Sequence, residues 1–140
     1  FGGNPLSCAV GSAVLKYIED HRLVQRVAQL GEYFFEKAQE LYDLDMVGDS
    51  RGEGVFMGIE FVADKKTRRP FPTSLNVAGR IGDACFTNGL IVGAGKGGID
   101  GVNGDHVNLA PPFISGEEDL DEIIAIMRKS ILDVRQALTV

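Results

Sequence analysis

The most regular hydrophobic pattern in the chain lies at residues 54–62, where apolar side chains alternate with a mixed set of residues. Side chains two positions apart in a β-strand point to the same face, so this alternation predicts a strand with one buried face. Turn-prone residues precede the run and charged residues follow it, which marks both of its ends. We interpret it as the central strand of a small sheet, with a buried face of Val55, Met57, Ile59 and Phe61.

Four other stretches repeat their apolar residues at the three- and four-residue spacing of an amphipathic helix. The first follows Asn4-Pro5, a helix cap with proline at the favoured first position, and the third follows a predicted cap at Ser74. The predicted helices cover residues 5–18, 22–41, 75–88 and 115–138.

Short apolar runs complete the predicted sheet. They cover residues 44–48, 90–92 and 106–110, and residues 48–50 predict a turn into the central strand. Strands and helices in this order predict an α/β chain of the α+β type, built in two layers. One layer is a mostly antiparallel sheet of about four strands, and the helices lie on one side of it.

The composition narrows the classes of function. The chain has 140 residues, 44% hydrophobic and 24% charged, which suits one domain, or one domain with a docking element. The net charge is −6 and the basic clusters are only Lys65-Lys66 and Arg68-Arg69, so we expect neither nucleic acid nor a membrane surface as the partner. No apolar run approaches the roughly 20 residues of a membrane helix.

Cysteine usage and the first residue give two further expectations. Cys8 and Cys85 fall within predicted helices and lack the spacing of a metal site. We predict that both are reduced core residues of a cytoplasmic protein, with no bound metal. The chain begins with Phe1 rather than methionine, and we expect it to be a piece of a longer protein.

Residues 93–98 match the G-x-G-x-x-G pattern of dinucleotide-binding loops. Such a loop must open a helix, because the helix N-terminus holds the pyrophosphate, and no helical periodicity follows this stretch. A Walker A loop is excluded because glycine, not serine or threonine, follows Lys96. We interpret the stretch as a hairpin connection.

Charged residues offer one candidate for binding. The acidic run Glu117-Glu118-Asp119 falls in the first turn of a predicted helix, where it complements the helix dipole. Arg51 lies in a predicted glycine-flanked turn that enters the central strand, where a fixed cation is able to face a cleft. A surface salt bridge is the alternative role for such an arginine. From these residues alone, the chain is an α/β module without a self-contained active site.

Four segments occur in one order: Phe1-Gly2-Gly3-Asn4-Pro5-Leu6-Ser7-Cys8-Ala9, residues 51–60, Gly104-Asp105-His106 and Ala110-Pro111-Pro112-Phe113. In this order they resemble the C-terminal part of a class III pyridoxal-phosphate aminotransferase, of the ornithine, 4-aminobutyrate and ω-amino acid type. The resemblance covers nearly the whole chain. It implies an enzyme of fold type I that moves an amino group from an amine or amino acid donor to a keto acid or aldehyde acceptor.

The resemblance also implies an architecture. Such enzymes are usually homodimers with active sites at the subunit interface, and a large domain holds the cofactor while a small C-terminal domain closes over the substrate. Residues 1–21 are then a helix from the junction with the large domain, and residues 22–140 are the small domain. The small residues in the first half of the first helix fit close packing against another domain; the alternative is a helix that packs under the chain's own sheet.

Several parts of the family's active site are expected to be missing. The Schiff-base lysine and the acid that pairs with the pyridine nitrogen lie upstream of the segment that begins at Phe1. No lysine of this chain stands in a matching context, so we expect no catalytic residue and no bound pyridoxal phosphate in this piece by itself. The lysines are Lys16, Lys37, Lys65, Lys66, Lys96 and Lys129.

By the same resemblance, Phe1 and Gly2 are expected at the edge of the cofactor phosphate site of the partner subunit. Asn103 and Arg51 are expected near the substrate, and Asn103 occupies a region where relatives often place an arginine that grips a carboxylate. Two alternative functions stay open. One is an aminomutase of the same family, and the other is a stand-alone ligand-binding or regulatory module.

Overall fold

A computed structural model describes residues 2–138, in which two helices are followed by a β-hairpin, a third helix, a second hairpin and a long last helix. Short 3₁₀ helices at Gln39–Asp43 and Thr73–Leu75 precede the first hairpin and the third helix. The helices are α1 (Pro5–Asp20), α2 (Leu23–Ala38), α3 (Val77–Thr87) and α4 (Glu117–Leu138), and the strands are β1 (Val47–Glu53), β2 (Phe56–Phe61), β3 (Gly93–Lys96) and β4 (Asp105–Leu109).

The four strands form one antiparallel sheet in the order β1-β2-β4-β3. Strand β2 is interior, since Ile59 faces Ser50 of β1 on one side and Val107 of β4 on the other. The predicted central strand is therefore confirmed. The predicted α/β class, with an antiparallel sheet of four strands, is confirmed as well.

The core lies between one face of this sheet and helices α2, α3 and α4. The predicted buried face of the central strand is confirmed, because its four apolar side chains are at most 2% exposed. Removal of this apolar surface from water is the main favourable term in folding. The largest fully buried side chains include Phe34, Phe61, Leu41, Met57, Ile59, Ile81, Leu120, Met127 and Ile131.

Strand β1 includes residues that the local pattern assigned to a turn. The predicted turn at residues 48–50 is wrong, and so is the placement of Arg51 in a turn. Asp49 pairs with Glu60 of β2, and the chain reverses at Gly54, whose φ is +55°. The reason is that β2 supplies backbone hydrogen-bond partners for this polar run, and such pairing outweighs local propensity.

Strand β3 is displaced from its predicted position. The apolar residues 90–92 lie outside any strand, and β3 is the glycine-containing segment Gly93–Lys96. Its register with β4 places Gly93 opposite Asn108. The chain then passes through residues 97–104 into β4 rather than into a helix, as the hairpin interpretation of this stretch predicts.

Helix α3 begins with a cap that comes from another strand. The predicted cap at Ser74 is wrong, because Ser74 lies in the preceding 3₁₀ helix and the N-cap residue is Asn76, with a φ of +48°. Asp105 of β4, only 4% exposed, accepts the backbone N–H of Ala78 in the first turn at 2.9 Å. An acceptor 27 positions away is not encoded in any local pattern.

Helix α1 begins as predicted, because the Asn4 side chain accepts the N–H of Ser7 and Pro5 takes the first helical position. Unlike the other three helices, however, α1 has no buried residue. Cys8 on α1 is exposed, so the prediction of a core position is wrong for Cys8 and confirmed for Cys85. An apolar stripe on α1 is left uncovered; it consists of Leu6, Val10, Val14 and Tyr17.

Candidate functional site

The face of the sheet that points away from the core carries polar side chains from three strands. Residues that pair across an antiparallel ladder lie on the same face, and Arg51 pairs with Gly58, which in turn pairs with Asn108. Of the polar residues on this face, the sequence pattern points only to Arg51. In β4, polar His106 and Asn108 alternate with apolar Val107 and Leu109, and this alternation is the sequence signal for the two members that β4 contributes. We call this group the open-face cluster: Asp49, Arg51, Glu60, His106 and Asn108.

Arg51 is held by two carboxylates. Its Nη1 atom lies 2.9 Å from an oxygen of Glu60 and 2.5 Å from an oxygen of Asp49. The Arg51 side chain is 62% exposed, so solvent screens these contacts and each adds little stability. The surface salt bridge, the alternative role for Arg51, is therefore present. Both contacts use Nη1, so the N–H groups of Nη2 and Nε are the donors that a substrate carboxylate would meet.

The contacts of Arg51 determine which open-face groups are charged. Its hydrogen bond lowers the pKa of Glu60, against the opposing effect of partial burial. Burial acts to raise the pKa of Asp49, but hydrogen bonds from Arg51 and Tyr42 together outweigh it, and the net pKa is lowered. Both carboxylates are thus ionised at neutral pH, far from the pKa that suits a general acid or base.

Glycines in β2 and β3 leave the space that the open-face side chains occupy. A Cβ added at Gly95 of β3 would lie 2.4 Å from Nε2 of His106. The imidazole therefore occupies the space that a side chain at position 95 needs. At Gly58 of β2 an added Cβ would lie 3.4 Å from the Asn108 side chain. Glycine in a strand interior often marks such a close approach of neighbouring groups.

Asn103 lies in the hairpin connection 97–104, beside the open-face cluster. Its side-chain amide donates to Asp100 at 2.7 Å, and its backbone N–H donates to the same carboxylate. The carbonyl of Asn103 accepts the N–H of Ile99, and Ile99 lines a cleft of about 200 Å³ together with Arg51. Arg51 therefore lines this cleft, whereas Asn103 is connected to it only through the backbone bond to Ile99.

Two larger grooves, each of about 550 Å³, share one wall. The wall is the segment 110–115, which follows β4 directly; residues 110–112 line both grooves, and residues 113–115 each line one of them. Groove A lies between this wall, the start of α2 and the β1–β2 turn, and Val24 and Phe56 line it. Groove B lies between the wall, the first half of α4 and the segment after α3, and Ile91 and Asp119 line it.

Two classes of site are absent from the part of the chain that the structure describes. Within residues 2–138, histidine, cysteine, aspartate and glutamate side chains do not gather into a group suited to a metal ion. In the same residues, no helix has both the length and the apolar character needed to cross a membrane.

The model of the family "Aminotransferase class-III" matches residues 1–131. The chain belongs to the class III aminotransferase family. The resemblance of the four sequence segments to this family is therefore confirmed, and the family is one that depends on pyridoxal phosphate.

Individual class III relatives match almost the whole chain. An uncharacterized aminotransferase of Schizosaccharomyces pombe is 37% identical over 99% of this chain and 30% of its own length. Gamma aminobutyrate transaminase 2 of Solanum lycopersicum is 32% identical over 97% of this chain and 28% of its own length. The solved structure of a Bacillus anthracis aminotransferase matches 95% of this chain and 29% of that chain, with a TM-score of 0.84 and 32% identity.

The chain spans about 30% of the length of the curated relatives it matches. It therefore corresponds to one part of a class III aminotransferase. The activity, substrates and partners of a whole enzyme depend on residues beyond this part.

The lysines do not fit the role of the family's imine-forming residue. Five of the six are exposed, and Lys16 and Lys129, for example, each pair with an aspartate one turn away. The half-buried Lys37 is hydrogen-bonded to Asp121, which raises its pKa. An imine-forming lysine needs an unprotonated amine, so this shift is in the unfavourable direction.

The two residues expected at the cofactor phosphate give no complete site either. Phe1 lies outside the described residues. Gly2 is exposed, and a Cβ added there would have no neighbouring atom within 4 Å. The described residues therefore do not fit pyridoxal phosphate by themselves.

Treatment of the 140-residue chain with pyridoxal phosphate and borohydride is expected to leave no single lysine labelled stoichiometrically. The reason is that exposed amines outside a binding site react slowly and without selectivity. Peptide mass spectrometry measures the label at each lysine, and slow labelling at several positions agrees with the expectation. A 1:1 label at Lys37 that disappears in the Lys37→Arg variant would contradict it.

Proposed function

We propose that the whole protein is a pyridoxal-phosphate-dependent transaminase and that residues 22–140 are its small C-terminal domain. The observation that carries this proposal is the family match over residues 1–131, together with superposition on 29% of a solved aminotransferase. The reaction transfers an amino group from an amine or amino acid donor to a keto acid or aldehyde acceptor. The cofactor and its lysine belong to the large domain.

Residues 1–21 form the helix at the junction with that large domain. The support is the contrast between α1, which has no buried residue, and α2, which buries six. An uncovered apolar stripe on a helix is typical of a contact surface. In this arrangement Phe1 and Gly2 approach the cofactor phosphate of the partner subunit in a homodimer. A cytoplasmic location remains a prediction from the two free cysteines.

The small domain contributes binding rather than proton transfer in this proposal. Arg51 lines a cleft to which Asn103 is connected through its backbone bond to Ile99, and the lowered pKa values of Asp49 and Glu60 do not suit acid–base work. Their role is to orient the substrate and to cover it from water when the small domain closes. Groups held in place by neighbours perform this role without a large reorganisation cost.

An amino-transfer assay on the whole protein with added pyridoxal phosphate tests the proposal. Suitable donors are 4-aminobutyrate, L-alanine and vanillylamine, because relatives are named for the reactions of such compounds, and glyoxylate is a suitable acceptor. We expect glycine to form in an amount equal to the donor consumed. Isomerised amino acid without loss of acceptor would indicate an aminomutase, and no turnover with any donor would contradict both enzyme functions.

Substitution of Asn103 by arginine in the whole enzyme is expected to raise the preference for an α-amino acid over the matching amine. A guanidinium binds a carboxylate through two parallel hydrogen bonds, and asparagine donates only neutral ones. Such charged hydrogen bonds contribute about 1.5–3 kcal/mol, so the ratio of kcat/KM values should shift roughly tenfold or more. Steady-state kinetics with L-alanine and ethylamine as the pair measure it.

The carboxylate of Asp100 competes with the substrate for an arginine at position 103, so the experiment needs a variant that removes its charge. Asp100 already accepts the Asn103 amide, so an arginine at position 103 is attracted to it rather than to the substrate. The double variant Asn103→Arg, Asp100→Asn removes that charge and keeps an oxygen for the backbone bonds of the loop. The double variant is expected to show the larger shift. An unchanged preference in both variants would mean that this loop does not meet the substrate.

A further inference from the structure

Arg26 joins two parts of the chain that are far apart in sequence. From α2, its Nη1 donates to the carbonyl of Phe113 at 2.6 Å and its Nη2 to the carbonyl of Ser115 at 2.5 Å. Between these carbonyls the backbone turns, and the Ser115 N–H donates to the carbonyl of Pro112. One planar guanidinium therefore holds both sides of a turn, which its rigid fork of donors allows.

The charge of Arg26 is not explained by an ion pair. Within residues 2–138, none of the salt bridges involves it. The guanidinium of Arg26 also lies near the N-terminus of α4, because it binds the carbonyl of Ser115, two residues before that helix begins. The helix dipole disfavours a cation at this end of a helix. The acidic first turn of α4, Glu117 to Asp119, offsets that cost. Among the described residues, Arg26 is thus a half-buried cation that binds two backbone carbonyls and no carboxylate. This arrangement indicates that its role is to hold the backbone in place.

The segment that Arg26 holds is the wall between grooves A and B. Pro111 and Pro112 have no N–H to donate, and the wall lies outside the helices and strands, so no ladder of backbone bonds fixes it. Arg26 holds it from the side of α2. On the other side, Asp119 of α4 accepts the N–H of Gly116 at 2.8 Å.

We propose that Arg26 is a positioning residue that fixes this wall and thereby sets the width of both grooves. The wall begins two residues after Asn108 of the open-face cluster, so it borders the proposed substrate region; in this respect the inference rests on the proposed function. Arg26 does not touch reacting atoms. Its loss therefore weakens substrate binding and leaves the chemical step almost unchanged.

Amide hydrogen exchange on the whole protein tests the structural half of the proposal. In Arg26→Gln, the Ser115 and Gly116 amides are expected to exchange at least tenfold faster, while the buried Met127 of α4 keeps its wild-type rate. Arg26→Lys keeps the charge but offers a point donor instead of a fork, and an intermediate rate is expected. Unchanged rates at Ser115 and Gly116, or equal acceleration at Met127, would overturn the proposal.

Kinetics of the same variants test the functional half. In Arg26→Gln, KM for the amino donor is expected to rise about tenfold with kcat within about twofold, and Arg26→Lys should recover part of the loss. Arg22→Gln is the matched control, since it removes the same charge four residues earlier, where Arg22 has no side-chain cap bond. An equal effect in Arg22→Gln, or a loss confined to kcat, would overturn the proposal. Inactivity of the wild-type enzyme would instead refute the proposed function, and the exchange rates would still decide the role of Arg26.

Discussion

Substitution of Gly31 by alanine is expected to lower the free energy of unfolding by about 3 kcal/mol. Gly31 lies inside α2, where alanine normally stabilises a helix by about 0.5–1 kcal/mol. Here the added Cβ would lie 2.5 Å from the carbonyl oxygen of Gly54 and 2.7 Å from its Cα. Both contacts are with backbone, which has no rotamer to change, so the helix and the β1–β2 turn must move apart.

Gly11→Ala on α1 is the matched control. Gly11 is also inside a helix, and nothing lies within 4 Å of an added Cβ. Its unfolding free energy is expected to stay the same or rise by up to about 1 kcal/mol. Urea denaturation followed by circular dichroism measures both variants. Equal stability of the two variants would mean that α2 and the turn are not in backbone contact.

Substitution of Asp105 by alanine is expected to cost about 1.5–3 kcal/mol of unfolding free energy. Asp105 is buried, and its carboxylate is the acceptor for the Ala78 N–H at the start of α3. A helix N-terminus favours a negative group, and loss of the acceptor leaves a buried donor without a partner. Thermal or urea denaturation measures the loss.

Two further variants test whether the loss of stability in Asp105→Ala comes from the buried cap of α3. Asp105→Asn keeps an acceptor oxygen and loses the charge, so it should cost less than Asp105→Ala. Asp64→Ala also removes an aspartate that accepts backbone N–H groups, from Lys66 and Thr67, but in an exposed loop. We expect its cost to be below about 1 kcal/mol, because water replaces the lost acceptor. A cost equal to that of Asp105→Ala would argue against a special role for burial.

The candidate site was only partly predictable. The sequence points to Arg51 through its glycine-flanked position and, separately, to Asn103 through the family resemblance. The cleft that Arg51 shares with Ile99, the hydrogen-bonded neighbour of Asn103, depends on the strand order β1-β2-β4, which brings residues about 50 positions apart to the same sheet face. The salt bridge of Arg51 with Glu60 depends on the β1–β2 register, which pairs Arg51 with Gly58 and Asp49 with Glu60. Neither the strand order nor the register can be predicted from the alternation of side chains along a single strand.

Periodicity by itself determined the elements that bury their own apolar face. The spacing of apolar residues alone predicts the central strand and the last helix. In each case only one type of element places those side chains on a single buried face. The tertiary structure decided the elements whose local signals are weak. The polar β1 and glycine-rich β3 are strands because β2 and β4 pair with them, and α3 begins where Asp105 supplies the acceptor. A backbone N–H must find a partner, and in these places the partner comes from a distant part of the chain.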